Sequence, residues 1–178
     1  MDIRQTYTTV VVPEMKKLFG YTNNHAVPRL SKVVVNIGLG KNAKDDKFKD
    51  NIEKTLADIT GQKPIVTKAR HSIAGFGIRE GLIIGEKVTL RGKKMYDFFN
   101  KVIHIALPRV RDFQGINPDS LDREGNLTVG FKEWNVFPEI NSEHMSALHG
   151  LEVTFVTTAK NKQEALSLFR LLAFPFKK

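Results

Sequence analysis

Apolar residues along this chain recur with two periods, one near 3.6 residues and one of 2, and the changes between them lay out the elements. Residues 3–19 carry the helical period and stop at Gly20, with Pro13 inside the run. Proline has no N–H to donate, so it must kink this helix or restart it. Residues 31–38, Ser-Lys-Val-Val-Val-Asn-Ile-Gly, are rich in β-branched side chains and close on glycine, the mark of a strand. In residues 45–60 the apolar positions Phe48, Ile52, Leu56 and Ile59 return to helical spacing, and Gly61 supplies the stop. Residues 64–68 and 82–91 read as two more strands, and a loop containing Gly75, Gly77 and Gly81 joins them; a hairpin is the simplest connection.

The second half repeats the alternation. Residues 93–107 form a helix with Phe98, Val102, Ile105 and Ala106 facing inward and Pro108 ending it. Asp, Asn, Pro, Ser and Gly fill residues 112–125, the chemistry of a surface loop. Residues 127–131 and 151–158 are strands on either side of a turn at 134–139, and a last helix over 162–173 puts Ala165, Leu168, Phe169 and Leu172 on one face. Strands without regular parallel crossovers, together with helices able to cover one face, predict an α+β fold: a two-layer sandwich with a mainly antiparallel sheet whose other face is free to bind. The length of 178 residues suits one domain over 1–178, an amino-terminal helix in 1–26 leading into a core over 27–178.

Charge changes the picture more than composition does. Of the net +9, residues 61–111 alone carry +8, from eleven Lys and Arg against three acids, while residues 112–157 are acidic at −6. A concentrated basic surface attracts polyphosphate by releasing counterions. The chain has no apolar run near the roughly 20 residues of a spanning helix, and its first residues lack the pattern of a secretory signal, so a cytoplasmic protein without a membrane partner is expected. Cysteine is absent, which excludes disulfides, thiolate nucleophiles and zinc–cysteine sites; five histidines without ligand spacing predict no metal and no cofactor.

Several short patterns carry chemistry of their own. Gly38-Leu39-Gly40-Lys41 lies between a strand and a helix, but it lacks the spacing of a phosphate-binding loop and reads as a tolerant turn. Glu133 with Glu139, or Asp119 with Asp122, would make carboxylate pairs, yet they sit among loop signals and read as a solvated acidic face; no catalytic residue is predicted. His71, between Arg70 and Ser72, either meets RNA or is a plain loop residue, whereas His104 reads as a partly buried, hydrogen-bonded helix residue. Lys93, Lys94 and Lys101 suit a solvated helix surface equally well as RNA contact. Lys63, Lys68, Arg70, Arg79, Lys87 and Arg91 cluster around the paired strands with Asn36, Gln62, Thr67, Ser72 and Thr89 among them, long bases for phosphates and polar groups for base edges and 2′-hydroxyls. Phe76, in Gly-Phe-Gly, either stacks on a base or pins its loop to the core.

Taken in order, Thr60-Gly61-Gln62-Lys63-Pro64, Thr67-Lys68-Ala69-Arg70, Ile73-Ala74-Gly75-Phe76, Lys87-Val88-Thr89-Leu90-Arg91-Gly92, residues 108–115 (Pro-Arg-Val-Arg-Asp-Phe-Gln-Gly), Phe137-Pro138-Glu139-Ile140 and the terminal Phe-Pro-Phe-Lys-Lys closely resemble the bacterial-type large-subunit ribosomal protein L5 family, collinearly from about Val27 to the end. The resemblance implies a non-enzymatic protein that binds 5S rRNA and helps anchor it in the central protuberance of the large subunit. It implies 5S rRNA contacts at Asn36, Gly38, Gln62, Lys63, Thr89 and Arg91. It also implies a loop near the peptidyl-site tRNA that carries Lys68, Arg70, His71, Ser72, Phe76 and Arg79. Further partners implied are 23S rRNA, neighbouring 5S-associated ribosomal proteins and small-subunit ribosomal protein S13. For the last of these, the acidic Asp112, Asp119, Asp122 and Glu143 are the bridge candidates on charge complementarity. Two positions depart from the family: Gly77 stands where lysine is common, and Trp134 where glutamine is usual, so an indole is expected to pack there. The rival readings are a general nucleic-acid-binding architectural protein and a nucleotide enzyme.

Overall fold

The computed structural model describes residues 3–42, 45–140 and 149–177. Five strands make one antiparallel sheet, β1 (Leu30–Gly38), β2 (Ile65–Lys68), β3 (Ile83–Leu90), β4 (Leu127–Phe131) and β5 (Leu151–Thr157), in the order β2-β3-β1-β5-β4. Helical segments fill the connections, so the chain is α+β as the alternation predicts. It divides into two compact units, one of Met1–Val33, Arg91–Val129 and Thr154–Lys178, the other of Val34–Leu90 and Gly130–Val153.

In the first unit the amino-terminal helical run is α1 (Ile3–Thr6), a π turn at Tyr7–Val11 and α2 (Val12–Phe19). Pro13 lies in the first turn of α2, where its missing N–H matters least, and the wider turn ahead of it sends the Val12 N–H to the Tyr7 carbonyl. Gly20, at φ +70°, ends the run with its N–H on Lys16 O. α4 (Gly92–Lys101) runs into a second π turn, Val102–Ala106, and a 3₁₀ turn at Leu107–Arg109 that holds Pro108. That π turn corrects the reading of this helix's inner face: Ile103 is buried, whereas Ile105 and His104 face solvent. The extra residue in the turn rotates the positions beyond it out of simple helical register. The core of this unit is a phenylalanine cluster, Phe99, Phe155, Phe169 and Phe174, with ring centroids 5.1–6.4 Å apart, mostly in edge-to-face contact. α5 (Lys162–Leu171) presents Ala165, Leu168 and Phe169 to that core and is capped by Asn161, whose side chain accepts from Glu164 N at 2.9 Å.

The second unit holds α3 (Asp46–Thr60), started by Asp45, whose carboxylate accepts from the N–H groups of Lys47 and Phe48. Gly61, at φ +64°, stops it. Ile52, Leu56 and Ile59 on its buried face pack onto β3. β2 and β3 pair antiparallel with Ile65 opposite Lys87 and Thr67 opposite Gly85, so the predicted hairpin is present. Trp134 is buried and packs on His149, which also lies 4.4 Å from Phe48; burial holds the His149 imidazole below its usual pKa.

Candidate nucleic-acid interface

Within the second unit, strand alternation sorts side chains onto two faces. Along β1, Val35 and Ile37 are buried while Asn36 between them is half-exposed and Gly38 exposed. Along β3, Glu86, Val88 and Leu90 point inward, whereas Lys87 is exposed and Thr89 half-exposed. The register adds Thr67 and Ile65 of β2 to the outward side; Ile65 is 66% exposed at the sheet edge. Asn36, Gly38 and Thr89 therefore occupy outward positions on their strands. Gly85 carries no side chain where one would meet backbone: an added Cβ would lie 2.7 Å from Ile37 O and 3.0 Å from Thr67 Oγ1.

The turn after α3 delivers two more candidates. Thr60 Oγ1 donates to Leu56 O at 2.6 Å and accepts from Gln62 N at 3.3 Å, fixing the chain as it leaves the helix. Gln62 Nε2 then donates to Thr89 O at 3.2 Å. A carbonyl can only accept, so the amide nitrogen must face Thr89, and the amide oxygen has no donor among the described residues. Lys63 is 84% exposed and its Nζ lies 3.2 Å from Glu53 Oε1, an exposed ion pair of little intrinsic strength. Arg91, exposed and extended, follows β3 directly as the residue preceding α4. Among the described residues Lys68, Arg70, Arg79, Lys87 and Arg91 form no ion pair.

The loop between β2 and β3 has an internal architecture. Ile73 and Ile78 exchange two backbone hydrogen bonds, 2.9 and 3.2 Å, around a 3₁₀ turn at Ala74–Phe76 that Gly77 closes at φ +63°. Ser72 Oγ accepts from Glu80 N at 2.9 Å. Lys68, Arg70, His71, Ser72, Phe76 and Arg79 are not buried, and Phe76, at 78% exposure, does not pin the loop to the core.

The acidic candidates already have local roles. Asp122 accepts from Asn126 N and Nδ2 at 2.7 and 2.8 Å, and Asp119 Oδ1 lies 3.1 Å from Lys162 Nζ. Asp112 is exposed at φ +53°. Glu143 lies outside the described residues.

Sequence reasoning missed Glu86. It is buried, its Oε2 meets no hydrogen-bond donor among the described residues, and its carboxyl is pushed up to about 7, first by burial and then by repulsion from Glu53 and Asp50. The signal was available: in Gly85-Glu86-Lys87-Val88, a period of 2 puts Glu86 on the side of Val88.

Two family models match the chain. Ribosomal protein L5 covers residues 23–79, and the C-terminus model of the same ribosomal family covers residues 83–176. Among similar proteins, each called large ribosomal subunit protein uL5, that of Carboxydothermus hydrogenoformans is 48% identical over 174 residues, 98% of this chain and 97% of its own length. Those of Heliobacterium modesticaldum and Dictyoglomus thermophilum are each 51% identical, over 175 and 176 residues; the alignments cover 98% and 99% of this chain and 97% and 98% of theirs.

Proposed function

The chain belongs to the ribosomal protein L5 family, and on that premise we propose that it grips 5S rRNA through the outward side of β1 and β3 and the turn after α3. As a family member it is a structural, non-enzymatic constituent of the large ribosomal subunit in the cytoplasmic ribosome. The observation that carries the finer reading is the Gln62–Thr89 bond. It fixes an amide whose oxygen is open to a 2′-hydroxyl or base donor; exposed Lys63 follows Gln62 in the chain, and exposed Arg91 follows Thr89 by two residues. Asn36 supplies a second amide, Gly38 lets the RNA backbone approach closely, and Lys63 and Arg91 neutralise phosphates.

The Phe76 loop, whose cations form no ion pair among the described residues and whose ring is exposed, suits a second RNA surface, and we assign it to the peptidyl-site tRNA. Contacts with 23S rRNA and with 5S-associated proteins extend the same grip. Of the acids proposed to face S13, Asp112 is the one free of a local role among the described residues; Asp119 and Asp122 would have to serve both purposes.

Filter binding of the purified protein to 5S rRNA at two salt concentrations, with excess tRNA and duplex DNA as competitors, tests the reading. Binding that survives both competitors, and that Gln62→Ala and Arg91→Ala each weaken by about 1–3 kcal/mol while Arg70→Ala leaves it nearly intact, is the expected result. Displacement of 5S rRNA by duplex DNA would favour a general architectural protein, and a dominant effect of Arg70 would overturn the division of labour between sheet and loop.

A further inference from the structure

Glu86 is the ionisable residue of β3 that turns inward. Val66 of β2 lies opposite it, and the neighbouring inward positions of β1, Val35 and Ile37, carry no charge. The charged groups facing it come from α3 and the turn that follows. Asp50 and Glu53 repel it; with Lys54, Gln62 and Lys63 they line a groove of about 570 Å³, in which Lys63 neutralises Glu53 across 3.2 Å. Glu86 itself is only 2% exposed, and its Oε2 has no donor among the described residues. Asp50 and Glu53, whose charges reach this buried carboxyl, line that groove, and the exposed ammonium that offsets Glu53 also stands beside Gln62 on the proposed RNA grip.

We infer that binding of 5S rRNA at Gln62 and Lys63 is coupled to proton uptake by Glu86. This rests on the 5S reading above. An RNA phosphate is a stronger partner for a lysine than an exposed carboxylate, so it draws Lys63 from Glu53. Glu53 then faces Glu86 and Asp50 without its counter-charge, and the phosphate adds to the negative field. The ionised form of Glu86 becomes less favourable, and a proton from bulk water transfers to its carboxylate. Since Glu86 titrates at about 7 in the free protein, the exchange falls within the physiological range. Linkage gives the sign: a complex that holds more protons than its free components weakens as pH rises.

The test is 5S rRNA binding at about pH 6 and about pH 8.5 at constant ionic strength, paired with calorimetry near neutrality in two buffers of different ionisation enthalpy. The parent protein is expected to bind roughly three- to tenfold more weakly at the higher pH and to take up a measurable fraction of a proton on binding. Glu86→Gln keeps the side-chain shape and abolishes both effects. Lys63→Gln binds more weakly and also loses the proton uptake, because no exchange remains. Parent affinity independent of pH with no proton uptake overturns the inference, as does a pH slope that persists in Glu86→Gln; the calorimetry on the parent decides the matter even if a variant folds poorly. Absence of 5S binding at every pH would instead sink the functional reading, and the coupling with it.

Discussion

Gly85 and Glu86 are adjacent on β3 and constrain it in opposite ways. At Gly85 the constraint is space: the missing Cβ would collide with the Ile37 carbonyl of the neighbouring strand, and backbone cannot swing aside as a long side chain can. Gly85→Ala is therefore expected to destabilise the protein by about 2 kcal/mol, read as a lower denaturant midpoint at unchanged slope. At Glu86 the constraint is charge. Its folded carboxyl titrates at about 7 against an ordinary 4.5, so below 4.5 both folded and unfolded chains hold the proton and nothing is lost. Between 4.5 and about 7 the unfolded chain ionises first, so stability falls as pH rises, and above 7 the full penalty is present. Glu86→Gln should remove that decline, leaving the variant about 1–2 kcal/mol more stable than the parent at about pH 8 and no more stable at about pH 4, by thermal or chemical unfolding across pH. His149 pulls the other way, because its lowered pKa makes acid destabilising below 6.5.

At the scale of elements, what could be read from the sequence is what local chemistry alone decides. Gly61 after α3 was legible because a left-handed residue does the same work in any protein, whereas Asp45, counted inside the helix by its apolar spacing, proves to be the residue that caps it. Asp45→Ala should accordingly cost about 1 kcal/mol and fray the start of α3, visible as faster amide exchange at Lys47 and Phe48, the two N–H groups it caps. The π turns were not legible. Periodicity placed Ile105 inward and His104 partly buried because it assumes one residue count per turn, whereas the wider turn at Val102–Ala106 turns Ile103 inward instead. The same limit applies to the site. Alternation and the Gly61 stop put Asn36, Thr89 and Gln62 within reach of reading, but the bond from Gln62 to Thr89 joins residues 27 apart in sequence, and no local pattern announces it. The hairpin between β2 and β3 could be predicted, whereas the Ile73–Ile78 bridge that shapes its loop could not, since a single pair of isoleucines carries no period.

Over the whole molecule the uneven charge sets how the protein meets RNA. Nearly all of the net +9 lies in residues 61–111, which supply β2, its loop, β3 and α4, and the acids of 112–157 are partly engaged in internal contacts such as Asp119 with Lys162. An attraction built this way scales with the number of phosphates neutralised, and each one contributes close to one unit to the slope of log affinity against log salt. Polar readers add affinity without adding slope, because no counterion leaves when an amide binds a base or a hydroxyl. The two classes of candidate are therefore separable in one experiment. The pair Lys63→Gln with Arg91→Gln should lower the salt slope for 5S rRNA by about 1.5–2 units, whereas Asn36→Ala with Gln62→Ala should weaken binding at every salt concentration and leave the slope where it was. A slope unchanged in the first pair would mean that Lys63 stays with Glu53 in the complex, and that the phosphates are met instead by cations such as Lys87, exposed on the same outward side of β3.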